Sequence, residues 1–217
     1  MKFRMLASMA AIVTLSSGCG EDPQAPASNP IRDSAEFVQK LASAYRARHY
    51  AAFAALLGDD FRFVFPDPIP TPAANLWDRD TELLAHRRMF NPARIPAHEP
   101  PLDDALWLQS VAITLTPSTT FDERTDLYTT AVPPGPLDPA RWIAREVICS
   151  DDAFFQLQGE TDFVVHGQSK FVIVEDRTKQ VGAAGKFLLY SWEELGSPAK
   201  ALGIEEISWE SFKRLFL

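Results

Sequence analysis

Phe163-Val164-Val165-His166-Gly167-Gln168-Ser169-Lys170-Phe171 opens an apolar-rich run from Thr161 to Asp176 and alternates with the two-residue period of a half-buried strand. Gly167 inside it reads either as a hairpin turn with Gln168 or as a kink in one long curved strand. The same period recurs on both sides of this stretch, in Leu106 to Thr116, more weakly in Asp122 to Thr129, then in Arg141 to Cys149, Phe154 to Gln158 and Lys186 to Trp192. The second half of the chain is therefore expected to be an antiparallel meander. Gly182-Ala183-Ala184-Gly185 reads as a loose hairpin loop before its last strand.

Upstream the period changes to that of helices. Asp33-Ser34-Ala35-Glu36 has capping-box spacing, and Val38, Leu41, Ala42 and Tyr45 follow on one apolar face. A second short helix places Phe53, Leu56 and Leu57 inward and ends at Gly58. Asp60 to Phe65 alternates as a strand that the prolines at 66, 68, 70 and 72 stop. Asn75 is placed to cap a third helix running to Phe90, with Leu76, Leu83 and Phe90 recurring every seven residues and Trp77 and Leu84 beside them. Asn91 to Asp103, with four prolines, is a loop. Ser208-Trp209 opens a terminal helix whose Trp209, Phe212 and Phe216 form one face, a lid docked on the sheet.

Helices first and a strand meander after them predict an α+β class, with N-terminal helices packed on a curved antiparallel sheet. In this the chain resembles the nuclear-transport-factor-2-like family, also called SnoaL-like, with its cystatin-like cone fold. The resemblance is carried by the helices from Asp33 to Gly58 running into Asp60-Phe61-Arg62-Phe63, by the Phe163 to Phe171 stretch, and by Phe187-Leu188-Leu189-Tyr190-Ser191-Trp192-Glu193-Glu194-Leu195. It implies a bent sheet wrapped around the long helix to leave a cavity. Family members range from isomerases and dehydratases to proteins that only bind, so the fold does not supply the function.

Lys2 and Arg4 followed by an apolar Met5 to Leu15 have the form of a secretion signal, too short to span a bilayer as a helix. With Leu15-Ser16-Ser17-Gly18-Cys19 the leader resembles that of bacterial lipoproteins. This implies cleavage before Cys19 and acylation of Cys19, the lipidation site. Residues 1–18 are then the signal peptide, 19–30 the lipidated cysteine with a polar, proline-rich tether, and 31–217 a single domain. Extended at ~3.3 Å per residue, the tether lifts the domain roughly 30 Å from the lipid. Gly20 in place of Asp favours, by the family's analogy, the outer membrane facing the periplasm.

Removing residues 1–18 takes away two basic residues and no acid, leaving 19 basic against 29 acidic side chains, so the net charge moves from −8 to about −10. Nucleic acid, which needs a basic stripe, is excluded as a partner. An anionic membrane surface repels such a domain, so lipid contact falls to the anchor. With Cys19 acylated, Cys149 has no disulfide partner and reads as a small buried hydrophobe.

The family's enzymes place an acid or a histidine on the inner face of the sheet, which singles out Glu146 and His166. Alternation puts Trp142, Ala144, Glu146 and Ile148 on one strand face, and Asp162, Val164 and His166 together on another. Glu146 buried beside Trp142 would be a raised-pKa general base; the alternative is a solvent-facing side. Tyr45 and Tyr50 are candidates to present hydroxyls to the cavity, the alternative being core residues with hydroxyls at the rim. The candidate pocket is thus Glu146, His166, Trp142, Tyr45 and Tyr50, with no catalytic residue assigned. His49, His86, His98 and His166 lack metal-ligand spacing, and neither a metal nor another cofactor is expected. His86 reads as a surface or half-buried histidine, and Glu193-Glu194 and Glu205-Glu206 as solvated surface.

Three functions fit. The leading one is a non-catalytic envelope lipoprotein whose cone binds a small apolar ligand or an envelope protein, with a homodimer left open. The second is an isomerase, dehydratase or hydrolase using Glu146 or His166. The third is an adaptor whose cone is filled by aromatic side chains such as Trp142, Phe163 and Trp192.

Overall fold

The computed structural model describes residues 31–65, 76–96, 99–121, 123–129, 136–159, 162–195 and 205–217. Cys19 with its leader and tether, the proline cluster, Asn75, Asp122 and His98 fall outside them. The described elements are α1 (Ser34–Arg46), α2 (Tyr50–Ala54), β1 (Leu57–Val64), β2 (Leu76–Asp78), α3 (Arg79–Phe90), β3 (Leu108–Phe121), β4 (Trp142–Leu157), β5 (Phe163–Asp176), β6 (Phe187–Glu194), β7 (Glu205–Glu206) and α4 (Trp209–Arg214). The strands form one sheet in the order β2-β1-β6-β5-β4-β3, with β7 parallel to β5. β1 runs parallel to β6, and the other neighbouring pairs are antiparallel. The class is α+β, helices on a curved sheet, as the periodicities predicted; the sheet is antiparallel except at the β1–β6 and β5–β7 pairs, a departure from the all-antiparallel meander expected.

α1 forms where its apolar face and its cap agree. The Asp33 carboxylate accepts from the Glu36 amide at 2.9 Å, and Phe37, Val38, Leu41, Ala42 and Tyr45 are buried. The expected reciprocal bond is displaced by one residue: Glu36 accepts from the amide of Arg32 and pairs with its guanidinium. α3 begins later than the heptad pattern suggested. Leu76 to Asp78 pairs with Arg62 to Val64 as a strand, so Trp77 is spent on the sheet, and Asp78 caps the helix through the Thr81 amide at 2.9 Å. The buried face of α3 is consequently Glu82, Ala85, His86, Met89 and Phe90, with Leu83 and Leu84 only half-buried.

The meander has fewer and longer strands than expected. Arg141 to Cys149 and Phe154 to Gln158 are one strand, β4, in unbroken register with β5 from Trp142↔Asp176 to Phe155↔Phe163. Gly167 is neither turn nor hairpin; it sits inside β5 opposite Asp151. The run from Asp122 to Thr129, expected as a strand, holds a 3-10 turn at Thr125–Tyr128 that lies over the convex face of the sheet. Gly58, expected as a helix end, already belongs to β1.

Two faces of β4 carry different residues. Val147, Cys149, Asp151, Ala153, Phe155 and Leu157 point into the main core with α1, α3 and α4. Ala144 instead packs on the convex side with Leu137, Val172, Val174 and Tyr190. Tyr190 is the extra residue of a register shift between β5 and β6, which lets Phe187 and Leu189 before it and Trp192 and Glu194 after it all face inward.

Candidate functional site

α4 lies inside the concave side of the sheet. Trp209, Phe212, Lys213 and Phe216 are buried there against Tyr45, Phe63, Phe155 and Trp192. Its Ser208 side chain caps the first turn, and the periodicity that named Trp209, Phe212 and Phe216 as one face holds. Lys213 shares that face. Its Nζ sits 2.6 Å from Glu82 Oε1, 3.7 Å from the Phe63 ring centre and 3.9 Å from that of Trp192.

Around this ammonium runs a buried polar chain. The Tyr45 hydroxyl donates a short hydrogen bond to His86 Nε2, and His86 Nδ1 donates to the Glu82 carbonyl at 2.8 Å, so the imidazole is fixed as the Nδ1–H tautomer. Burial, reinforced by the Lys213 charge, holds His86 well below its usual pKa and therefore neutral. Asp151 accepts from the Ser169 hydroxyl and, at 3.0 Å, from Trp209 Nε1, while Trp192 Nε1 donates to Ser169 Oγ at 2.8 Å. Glu194 accepts from the backbone amides of Trp209 at 3.2 Å and Glu210 at 3.3 Å. Burial pushes Asp151 up to about 6 and raises Glu82 and Glu194, and it lowers Lys213. These groups fasten α4 into the fold. All of them are buried, and Tyr45, Glu82, His86 and Lys213 are fully so.

The residues singled out from the sequence divide between faces. Tyr45 is interior and hydrogen-bonded, and Tyr50 is half-buried at the start of α2, packed against the edge of the core. Glu146 and His166 lie on the convex face, away from Tyr45. Glu146 is buried beneath Arg124, with which it forms an ion pair. His166 is half-buried beside its exposed cross-strand neighbour Asp152, with Nδ1 3.3 Å from the carboxylate. Trp142 is half-buried on the convex side with Leu137 and Ala144. The five candidate pocket residues are thus not brought together. Two readings are corrected: His86 is buried, and so is Glu194, because its carboxylate receives the first amides of α4. Cys149 is buried as expected, its thiol pushed up to about 12 by burial.

Glu82, Asp151, Ser169 and Lys213 were not singled out by sequence reasoning. Their parity carried a signal: Glu82 and His86 are four apart on one helix face, Asp151 alternates with Cys149, Ala153 and Phe155, and Lys213 is four residues after Trp209.

A recess of about 590 Å³ lies outside the cone, between α1–α2 and the turn from β5 to β6. One wall is Ala44, Ala47, Ala51 and Ala55 with Leu56 at its floor, and the other is Gly182 to Phe187. Small side chains create the space. The turn needs its glycines, since Gly182 and Gly185 adopt φ of 85° and 68°. Lys179 Nζ donates to the carbonyls of Ala184 and Gly185 at 3.1 and 3.3 Å and draws that wall together. Among the described residues no group of three or more His, Cys, Asp or Glu side chains is placed to hold a metal ion.

The class this geometry defines is an α+β cone with its mouth closed by its own C-terminal helix. No family model matches the chain, and neither does any curated protein. Among solved structures it is similar to a nuclear-transport-factor-2-like protein of unknown function in nutrient uptake from Rhodospirillum rubrum, 15% identical with a TM-score of 0.41 over 75% of this chain and 97% of that one. It is also similar to a putative scytalone dehydratase from Novosphingobium aromaticivorans (10%, TM-score 0.44, 80% and 89%). A third is the beta subunit of the benzoate 1,2-dioxygenase from Burkholderia mallei (10%, TM-score 0.45, 76% and 90%). These likenesses bear on the fold alone.

Proposed function

We propose that the protein is a non-catalytic, lipid-anchored envelope protein that takes up a small apolar ligand in the recess between α1–α2 and the β5–β6 turn. The observation that carries this reading is the position of α4: Trp209, Phe212 and Lys213 occupy the interior in which a cone fold would hold a ligand. Acid–base residues are present there, but Tyr45, His86 and Glu82 are sealed beneath the helix. The ligand, expected inside the cone, is therefore moved to the surface. A recess of about 590 Å³ is of the size that small-molecule sites have, roughly 300–1,000 Å³. The enzyme reading gains less support, because Glu146 is held in an ion pair with Arg124 and His166 lies half-buried on the convex face beside Asp152.

Native mass spectrometry of protein purified under mild conditions tests the proposal. A co-purifying apolar molecule is expected, and Ala51→Trp, which fills the recess from an exposed position, removes it. Retention of that molecule by the Trp variant, or turnover of a substrate by the purified domain, would overturn it.

A further inference from the structure

The recess has a charge that the rest of the chain does not. The sequence holds 29 acidic and 21 basic residues, yet among the described residues the ionisable side chains lining the recess are Lys40, His49 and Lys186, none of them a carboxylate. Lys186 is engaged, donating to the Asp176 carbonyl at 2.8 Å and pairing with Glu175 at 3.0 Å. Lys40 is half-buried on α1; the acid that acts on it, Glu36, is itself paired with Arg32. His49 Nδ1 accepts the Ala52 amide at 3.0 Å, which places the neutral ring's proton on Nε2 and leaves that nitrogen a donor. An apolar trough with an ammonium and an imidazole N–H at its edge matches a molecule with one hydrocarbon chain and one anionic head.

We infer that the ligand is a medium-chain fatty acid, its chain lying along Ala47, Ala51 and Ala55 against the Gly182–Gly185 turn and its carboxylate meeting Lys40 and His49. This rests on the reading of the recess as a site for an apolar ligand and names the class of that ligand. A recess of this volume suits one chain with a compact head, where a phospholipid would bring a glycerol and a second polar group. Selectivity comes from charge and length. Each buried methylene contributes about a fourfold gain in affinity while the chain still finds apolar wall.

The test is calorimetric titration of the full-length mature protein with octanoate, decanoate and dodecanoate, and with dodecanol, dodecyltrimethylammonium and a lysophosphatidylglycerol, each below its micellar concentration. Expected are one site, affinity rising roughly three- to fourfold per methylene through the series, and dodecanoate favoured at least tenfold over the other three heads. Lys40→Glu should weaken dodecanoate at least tenfold and leave dodecanol unchanged, and Ala51→Trp should abolish both. Equal binding of dodecanol and dodecanoate would overturn the fatty-acid inference while leaving the apolar-ligand reading standing. Preference for the lysophospholipid would likewise overturn the inference, and absence of binding by every probe would overturn both.

Discussion

Lys213 Nζ and Glu82 Oε1 meet at 2.6 Å across 131 residues of sequence, both side chains fully buried, in a pair that ties the last helix of the chain to α3. A buried pair of this kind is costly to halve and cheap to replace whole. Lys213→Met should destabilise the domain by about 3–5 kcal/mol, because it strands the Glu82 carboxylate. The double variant Glu82→Leu, Lys213→Met should recover most of that loss. Urea unfolding of the two proteins measures it, and a single variant within about 1 kcal/mol of the parent would contradict the closed-cone account.

Asp151 gives the pair's surroundings a pH dependence. Its carboxyl is raised by burial to about 6 from an unfolded value near 3.8, so between those values the folded state holds a proton that the unfolded chain has lost. The stabilisation is present in full below about pH 4 and disappears as pH rises through 6. Asp151→Asn, which keeps an oxygen for Trp209 Nε1 and Ser169, should remove this slope, worth up to about 3 kcal/mol in the parent. Unfolding free energies of both proteins at pH 4, 5, 6 and 7 decide it; parallel curves would refute the assignment.

How much of this was legible in the sequence depended on whether a residue's partner was local. The α1 face, the meander and the terminal aromatic face were readable because period and capping are local properties. The stripe through Leu76, Leu83 and Phe90 misled, since Leu76 and Trp77 pair with β1, and that contact is not written in the heptad. Ser150-Asp151-Asp152 looked like a break between strands, yet β4 continues through it because Ser169 and Trp209, from elsewhere in the chain, satisfy Asp151. Glu82, His86 and Lys213 are charged or polar residues on helices, ordinarily solvated, and only their mutual contact makes burial tolerable. Glu146 and His166 were placed on the correct strand faces by alternation, but which face is concave is decided by where the helices pack.

Glu146 and His166 separate cleanly by substitution. Glu146→Gln, which leaves Arg124 its second partner Asp126, should cost about 1 kcal/mol. His166→Ala, at a half-buried residue paired with the exposed Asp152, should change stability by no more than about 0.5 kcal/mol. Thermal or chemical unfolding reads both, and a loss above about 3 kcal/mol for His166→Ala would mean a buried network on the convex face.

Anchoring is tested at Cys19. The Cys19→Ala protein should fold as the parent does, by circular dichroism, and, on the proposal of an acyl anchor, move from the membrane to the soluble fraction, since acyl chains contribute about 0.8 kcal/mol per buried methylene. Membrane retention of that variant would refute the anchor.

Photolabelling tests most directly whether ligand is held outside a closed cone. A diazirine-bearing decanoate analogue irradiated with the full-length protein, followed by peptide mass spectrometry, should label Ala47 to Ala55 and Gly182 to Ala184 and spare α4. Labels on Phe171, Trp192 or Trp209 would show that the interior opens to ligand and would contradict the account.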